Sequence, residues 1–354
     1  MTNIPKTMRG IWLLGHGGFD KLELKIDIPT PTPRDGEVLI RVKAAGINNT
    51  DINTRIGWYS KSEGNSDDAS WAGDAIHFPR IQGIDVCGDI VDVGKNVNHS
   101  RVGERVLVEP CLREAAGRPL ESPWFLGSEC DGGFAEYVVV PSRHAYKTSS
   151  PLSASELASF PCSYSTAENM LTRADVKAGE VVLVTGASGG VGSAALQLIQ
   201  ARGAKAIAVT SPIKVNELIN LGASQSVPRN YSLVSSLGEN SVEVVVDLVG
   251  GDSWPELLQL LKPGGRYVVS GAVAGPIVAL DLRTLYLKDL TFLGCTVLES
   301  RVFHNLVSYI ETGRIKPLVS RIFPLDKIVE AQKEFLEKKH IGKIVLSVCN
   351  HPRN

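Results

Sequence analysis

The feature that most constrains this chain is an apolar stretch, Val181–Val184, that runs into a glycine-rich turn and then into a helical pattern over residues 191–199. Together they predict a buried strand, a tight turn and a helix. Free backbone N–H groups and the positive end of the helix dipole meet at such a turn and form an anion site. Gly189 lets the backbone approach a pyrophosphate, and Gly192 lets the helix pack closely on the strand. The turn therefore predicts dinucleotide binding, and the alternative is an ordinary glycine-rich turn, since Ala187 stands where the fingerprint usually has glycine.

Bulk properties narrow the class of protein. A chain of 354 residues is long for one core and predicts two domains. The net charge of −1 gives no sign of a nucleic-acid surface. No apolar run reaches the ~20 residues of a membrane span, and the N-terminus lacks the apolar core of a secretory signal. The 6 cysteines form no C-x-x-C pair, which disfavours a disulfide framework, so a cytoplasmic location is expected.

The chain divides into two patterns. Before about residue 150, alternating residues and frequent glycines predict a closed or partly closed antiparallel barrel, with strands at residues 38–43, 86–93, 105–109 and 134–140. Two stretches there, 60–75 and 112–129, read as surface loops that wall the site.

From about residue 154, strands and helices alternate, which is typical of a doubly wound parallel sheet. The predicted strands are 206–210, 244–248, 266–270 and 290–293, and the predicted helices are 213–221 and 254–261, the latter closed by residues 262–265. The tail predicts helices at 303–312 and 325–337 and a last strand, 343–347, that can return to the first domain.

The residues beyond the glycine turn favour one dinucleotide. An acid about 20 residues past the turn bonds the 2′-hydroxyl of NAD. That position falls near Ser211, and no acid occurs from residue 204 to 216. A 2′-phosphate needs hydroxyl or cationic donors, which Ser211, Lys214 and Arg229 offer. The pattern favours NADP(H), and the alternative is that Lys214 and Arg229 are solvated surface charges.

Several motifs give the chain a family resemblance. They are residues 36–42, 45–51, 83–88, 102–106, 132–137 and 342–346, together with the glycine turn. From about residue 8 to 347 the chain resembles the medium-chain dehydrogenase/reductase superfamily, in its zinc-independent quinone oxidoreductase-like branch. The resemblance implies an α/β protein with a GroES-like β-barrel catalytic domain, 1–157 with 300–354, and an inserted Rossmann doubly wound parallel sheet domain, 158–299.

The same resemblance bears on metal binding. Zinc-dependent relatives supply a cysteine where this chain has Asn48 and a histidine where it has Ile84, and only Cys162 matches a third ligand. One thiolate and an isoleucine cannot make a tetrahedral site. We therefore expect no metal, and Cys162 is either a reactive thiol or, as we expect, an inert buried residue.

Other metal-ligating residue types do not change this expectation. The loop that holds structural zinc in relatives retains only Cys111 and Cys130. His77 and His144 are expected to be surface or capping residues.

Candidate catalytic residues follow from the resemblance. It implies that Asn48 is the polar residue at the nicotinamide–substrate end. Asp51 either holds Asn48 or the cofactor ribose, or caps the following helix. Tyr59 either donates a proton to a developing oxyanion or packs at the base of a loop.

The resemblance also implies a set of cofactor contacts. Thr166 would abut the nicotinamide, and Val249, Gly271 and Leu293 would line the cofactor trough through their backbone groups. The residues of the glycine turn that would bind the pyrophosphate are Ser188, Gly189, Gly190, Val191 and Gly192.

These expectations lead to an NADPH-dependent oxidoreductase that transfers hydride to quinones or α,β-unsaturated carbonyl compounds without a metal. The alternatives are an alcohol or aldehyde dehydrogenase of the same superfamily and a cofactor-binding protein with little turnover. The expected partner is a small-molecule substrate, with no nucleic acid and no membrane. By family analogy a homodimer is expected, paired through the apolar edge at residues 290–297.

Overall fold

The computed structural model describes residues 4–60, 69 and 75–348. The chain divides into two compact units. The first unit comprises Met1–Cys162 and Pro317–Asn354, and the inserted unit comprises Ser163–Lys316. Among the described residues, no helix is both long enough and apolar enough to cross a bilayer.

The elements are as follows. The strands are β1 (Thr7–Leu13), β2 (Leu22–Pro29), β3 (Glu37–Gly46), β4 (Arg80–Ile81), β5 (Cys87–Val93), β6 (Arg105–Val108), β7 (Cys111–Ala115), β8 (Arg118–Phe125), β9 (Tyr137–Pro141), β10 (Ala145–Lys147), β11 (Val181–Val184), β12 (Lys205–Thr210), β13 (Gln225–Pro228), β14 (Val242–Asp247), β15 (Leu261–Val269), β16 (Thr291–Gly294), β17 (Val319–Pro324) and β18 (Lys343–Ser347). The α-helices are α1 (Asn49–Ile56), α2 (Ala154–Leu157), α3 (Pro161–Arg173), α4 (Gly190–Ala201), α5 (Val215–Asn220), α6 (Leu233–Leu237), α7 (Trp254–Leu260), α8 (Leu282–Leu287), α9 (Val302–Glu311) and α10 (Ile328–Leu336). Short 3-10 helices lie at Phe19–Lys21, His99–Arg101, Ser142–His144, Pro212–Lys214 and Leu325–Lys327.

The first unit is built around β3. Its seven-stranded sheet has the order β10-β6-β5-β3-β18-β17, with β9 also paired to β3, and a three-stranded sheet has the order β2-β1-β4. Apolar residues of β3, such as Leu39 and Ile40, are buried in the core of this unit. Near the far end of the sequence, β18 pairs antiparallel with β3, with Val345 opposite Gly46. The prediction that the last strand returns to the first domain is confirmed.

One predicted loop is wrong. Residues 112–129 contain an antiparallel hairpin of β7 and β8, with Leu112 opposite Trp124 and Glu114 opposite Pro119. Two prolines and mixed charge obscure the alternation of apolar and polar residues that marks a strand in the sequence. A two-stranded hairpin tolerates proline because few of its N–H groups must pair. The other predicted loop, 60–75, lies almost wholly outside the described residues.

The expectation of a surface or capping position is wrong for His144. The ring is buried, its Nδ1 lies 2.9 Å from Glu109 Oε2, and its Nε2 accepts the Arg113 N–H at 3.1 Å. A buried acid therefore compensates the imidazole, a pairing across 35 residues that composition does not reveal. His77 is exposed, as expected.

The inserted unit is a six-stranded parallel sheet. Its order is β13-β12-β11-β14-β15-β16, and every neighbouring pair is parallel. Apart from Val181, which is partly exposed, the valines of β11 and β14 are buried as the apolar runs predicted, which is typical of strands covered on both faces. The strand order reverses direction between β11 and β14, and ligands of such sheets bind at the carboxyl ends of the strands at that reversal.

Some boundaries differ from prediction. The strand expected to begin at residue 266 begins at Leu261, because the chain pairs with Val242 before a register shift. Residues 262–265, predicted to close the helix, do follow its end at Leu260 and are also part of β15. The helices predicted at 213–221 and 325–337 each begin as a 3-10 turn, Pro212–Lys214 and Leu325–Lys327.

Candidate active site and cofactor turn

The glycine turn connects β11 to α4. Gly189 is the N-cap of α4, and the first intrahelical bond runs from Ser193 N–H to Gly189 O at 2.9 Å. The N–H groups of residues 190–192 precede this bond, so helix geometry gives them no intrahelical acceptor. Gly189 is exposed, and a Cβ built on it meets only Gly186 O, at 3.5 Å. A Cβ on Gly192 would lie 2.4 Å from the same oxygen. One glycine thus keeps the approach open and the other allows close packing, which fits a dinucleotide pyrophosphate.

Two cations, Lys214 and Arg229, and the hydroxyl residue Ser211 lie beyond the turn. Lys214 is buried, and its Nζ lies 3.5 Å from Ser188 Oγ of the glycine turn. The backbone N–H of Lys214 donates to the backbone oxygen of Ser211 at 3.0 Å. Burial and the positive charge of Arg229 lower the pKa of Lys214, and Glu217 partly opposes them. Lys214 is therefore not a solvated surface charge, whereas Arg229 is exposed.

Three other predicted cofactor residues lie on or just after three different strands of the inserted unit. Val249 follows β14 and packs on the glycine turn, with its Cγ2 3.2 Å from a Cβ built on Gly186. Gly271 allows close approach to Leu248, since a Cβ there would lie 2.9 Å from Leu248 O. Leu293 lies two strands from β14, on the edge strand β16.

Thr166 occupies a distinctive position on α3. Within residues 161–170 it is the one residue that is not buried. Thr166 is partly exposed, and a polar side chain in that position within an otherwise buried stretch is available to a ligand.

The predicted catalytic residues of the first unit converge at the start of α1. Asn48 is the N-cap of this helix, and its N–H donates to Asp51 Oδ2 at 2.8 Å. Asp51 therefore caps the helix and also holds the Asn48 backbone, as two of the alternatives given for it predict. The Asn48 side chain is also engaged, because its Nδ2 donates to Asp85 Oδ2 at 2.8 Å and its Oδ1 accepts from the Lys343 ammonium.

A buried charge cluster surrounds Asn48. Lys343 Nζ lies 2.8 Å from Asp85 Oδ2, and both side chains are almost fully buried. Asp85 Oδ1 accepts the Cys162 N–H at 2.5 Å, and Cys162 is itself buried. A Cβ on Gly46 would lie 2.5 Å from Asp85 Oδ2, so glycine is needed beside the carboxylate. We refer to Asn48, Asp51, Asp85 and Lys343 as the Asn48 cluster.

Burial changes the protonation of Asp51. Its pKa is raised from 3.8 to about 7, chiefly because burial disfavours the charged form. The Asn48 and Gly83 N–H groups and the Lys343 charge lower it, and the Asp85 charge raises it. Asp51 therefore exchanges a proton near neutral pH.

Tyr59 lies close to this cluster. Its O–H donates to Thr50 Oγ1 at 3.2 Å, and its side chain is partly buried. Burial raises the pKa of Tyr59, and the charge of Asp51 adds to the effect. The phenol therefore stays protonated at neutral pH and is able to donate a hydrogen bond.

Asp85 and Lys343 were not predicted as site residues. Both lie in motifs that carried the resemblance, at 83–88 and 342–346. The available signal was a lysine opening an otherwise apolar strand, since a buried lysine requires a partner. The partner lies 258 residues earlier (343 − 85), so spacing alone does not identify it.

Comparison with known proteins decides the family. Residues 34–150 match the alcohol dehydrogenase GroES-like domain, and residues 213–346 match a domain described as zinc-binding dehydrogenase. An acryloyl-coenzyme A reductase from Sulfurisphaera tokodaii is 30% identical over 349 residues, covering 96% of this chain and 99% of that protein. The chain belongs to the medium-chain dehydrogenase/reductase superfamily. Human quinone oxidoreductase is 29% identical over 360 residues, covering 98% of this chain and 99% of that protein.

A solved structure of this superfamily is closely similar. A Sinorhizobium meliloti protein, provisionally assigned as an alcohol dehydrogenase, has a TM-score of 0.91 and 44% identity, with 98% of each chain covered. Superfamily membership makes the chain an oxidoreductase and, with the glycine turn, supports a nicotinamide cofactor. It also confirms the GroES-like and Rossmann folds.

The residues of this superfamily member do not fit a catalytic zinc ion. Asn48 and Ile84 stand at two of the expected ligand positions, and the Asn48 oxygen already accepts from an ammonium group, which repels a second cation. Among residues 4–60 and 75–348, no group of three or more His, Cys, Asp or Glu side chains is placed to hold a metal ion.

Proposed function

We propose that the protein is an NADPH-dependent oxidoreductase that transfers hydride to quinones or α,β-unsaturated carbonyl compounds without a metal. The observation that carries the cofactor assignment is Lys214, buried against Ser188 of the glycine turn, with Arg229 adding a second positive charge. The charge of Arg229 contributes to the lowered pKa of Lys214, so the two cations repel each other, and a 2′-phosphate would relieve that repulsion. An adenosine ribose without the phosphate brings no such gain.

The residues that stand at the zinc-ligand positions, Asn48 and Ile84, guide the choice of substrate. Hydride transfer to a simple carbonyl profits from a Lewis acid on its oxygen, but Ile84 has no ligand atom and the Asn48 oxygen already accepts from the Lys343 ammonium. A quinone or enone is already activated, and its negative charge develops on an oxygen that hydrogen-bond donors are able to stabilise. Two of the relatives carry names that refer to such compounds, quinone oxidoreductase and acryloyl-coenzyme A reductase.

The chain's own residues have distinct proposed roles. A bound nicotinamide supplies the hydride. Tyr59, kept protonated by burial, donates its O–H to the oxygen that becomes negative and then transfers the proton. Asn48 is fixed by Asp85 and Lys343, and Asp51 holds the Asn48 backbone, so both shape this end of the site rather than react.

The cofactor residues carry over as proposals from the matched motifs. The glycine turn, Ser188 to Gly192, would bind the pyrophosphate, and Ser211, Lys214 and Arg229 would bind the 2′-phosphate. Thr166, Val249, Gly271 and Leu293 would contact the remainder of the dinucleotide.

A second candidate function is alcohol or aldehyde oxidation. The similarity to the Sinorhizobium meliloti structure favours it, because that protein is provisionally assigned as an alcohol dehydrogenase. The two candidates differ in the metal they need, so elemental analysis of the purified protein separates them.

The edge of the parallel sheet supports a homodimer. β16 is an edge strand, and edge strands with apolar residues need a cover. The segment before it exposes large apolar side chains, including Ile277 at 88% and Leu287 at 71%. We propose that a second copy pairs along this edge, and a sedimentation experiment that finds only monomer contradicts it.

The deciding experiment uses Lys214→Met. The variant keeps the aliphatic length and removes the charge, so we expect NADPH to bind ~10-fold more weakly and NADH to bind as before, as for one lost charge-assisted contact. Lys205→Met, on an exposed lysine at the opposite end of β12, is the matched control. Equal loss for NADPH and NADH contradicts the cofactor proposal.

Turnover is then measured on a panel of quinones, enones, aldehydes and alcohols, with NADPH consumption followed for each. Quinones or enones should be reduced fastest. Faster alcohol oxidation, together with one zinc ion per chain, contradicts the proposed reaction.

A further inference from the structure

The turn that follows β14 is organised by one buried carboxylate. Asp247, the last residue of β14, is fully buried. Thr185 Oγ–H donates to its Oδ1 at 2.6 Å, and Tyr267 O–H donates to its Oδ2 at 2.6 Å. A carboxylate without a cationic partner is costly to bury, so it must be compensated by donors of this kind.

The backbone of the turn supplies further donors. Val249 N–H donates to Asp247 Oδ1 at 2.9 Å, and Gly250 N–H donates to the same oxygen at 3.2 Å. Leu248 N–H donates to Thr185 Oγ1 at 2.9 Å. Three successive N–H groups are thus directed at the carboxylate or at its hydroxyl partner. The conformation of residues 248–250 is therefore set by Asp247 and Thr185.

This turn lies where the sheet places its ligands. β11 and β14 are neighbours at the reversal of strand order, and their carboxyl ends lead into the glycine turn and into residues 248–250. The two turns pack together, since Val249 Cγ2 is 3.2 Å from a Cβ built on Gly186. A shift of Val249 therefore changes the surface beside the pyrophosphate site.

Tyr267 is itself held in place. Its ring lies 5.6 Å from Trp254 and 5.3 Å from Phe292, and Trp254 meets both rings edge-on. Burial and the charge of Asp247 raise the pKa of Tyr267, so the phenol remains a donor. The ring packing fixes the direction in which the O–H points.

We infer that Asp247, with Thr185 and Tyr267, is a positioning residue for the cofactor: it holds the Val249 turn in the conformation that receives the dinucleotide. This inference rests on the proposed function. None of the three side chains needs to touch the cofactor. Their effect is transmitted by the hydrogen bonds to residues 248–250.

The first test removes one donor without changing the ring. In Tyr267→Phe the aromatic packing remains and the bond to Asp247 is lost. We expect the Kd for NADPH, from fluorescence titration, to rise about 5- to 10-fold, part of the effect of one charge-assisted bond. The KM for NADPH should rise equally, while kcat at saturating NADPH changes less than about twofold. Tyr309→Phe, on a partly exposed tyrosine of α9, is the control and should match wild type.

The second test uses Thr185. Thr185→Val keeps the shape and removes the hydroxyl that donates to Asp247 and accepts from Leu248, whereas Thr185→Ser keeps that hydroxyl. We expect Thr185→Val to weaken NADPH binding and Thr185→Ser to restore it. If Thr185→Ser binds as weakly as Thr185→Val, the hydroxyl is not the cause and the inference is overturned.

The outcomes separate this inference from the function on which it rests. Wild-type protein that binds neither NADPH nor NADH overturns both. Wild-type protein that binds NADPH, with Tyr267→Phe binding it equally well, overturns the positioning role alone. A lower melting temperature of Tyr267→Phe with an unchanged Kd has the same meaning, because it assigns the bond to stability only.

Discussion

The raised pKa of Asp51 makes the stability of the protein depend on pH in a defined direction. The carboxyl titrates at about 7 in the folded chain and near 3.8 when unfolded. Between these values the unfolded state has lost the proton that the folded state keeps. Stability from this group is therefore fully present below pH 3.8 and is lost as pH rises toward 7.

The magnitude follows from the displacement of the pKa. At about 1.4 kcal/mol for each pH unit, the full loss is ~4 kcal/mol, of which ~2.5 kcal/mol falls between about pH 5 and pH 8. Asp51→Asn removes the ionisable group and leaves an oxygen that accepts the Asn48 N–H. Relative to this variant, the wild type should lose ~2.5 kcal/mol of unfolding free energy over that range.

The assay is urea unfolding followed by circular dichroism at several values between about pH 5 and pH 8. The difference between wild type and Asp51→Asn is the quantity of interest, because it cancels the other titrating groups. Asp27→Asn makes the same chemical change at an exposed residue of β2 and should run parallel to wild type. Parallel profiles for wild type and Asp51→Asn would refute the argument, since they mean that Asp51 titrates alike in both states.

Three further predictions follow from the site. Lys343→Met leaves Asp85 buried without its ammonium and should cost about 3–5 kcal/mol in urea unfolding; a loss below 1 kcal/mol, by the same rough scale, argues against a buried ion pair. Gly192→Ala places a methyl 2.4 Å from a backbone oxygen of the glycine turn and should destabilise by about 1–3 kcal/mol, whereas Gly294→Ala, where a Cβ meets nothing within 4 Å, should not. Tyr59→Phe should lower kcat by about 10²-fold with little change in NADPH binding, and an unchanged kcat would remove Tyr59 from the proton transfer.

Much of the fold could be predicted because its signals are local. The apolar runs of β11, β12 and β14, together with the glycine turn, predict a parallel sheet. Each of these signals lies inside its element or within a few residues of it. The last strand was placed correctly at Lys343–Ser347 for the same reason. Hairpin β7–β8 was missed because its prolines and charges conceal the alternation of a strand.

The interior of the site could not be predicted in the same way. Asn48 and Asp51 are three residues apart and their contact follows from helix capping. Asn48 meets Asp85 across 37 residues and Lys343 across 295, and no local pattern records such pairings. The buried state of Lys214 was likewise invisible, since a lysine after a strand is usually solvated.

The return of β18 to β3 has a consequence for how the protein is made. On the ribosome, β3 emerges long before β18, the strand that completes its hydrogen bonds. Asn48 is 295 residues before Lys343, whose ammonium neutralises the Asp85 carboxylate beside Asn48. At about 5–20 residues per second, that gap lasts roughly 15–60 s. During this interval the nascent chain presents an unfinished sheet edge and an uncompensated acid, which is the form of the protein most exposed to aggregation and to chaperone capture.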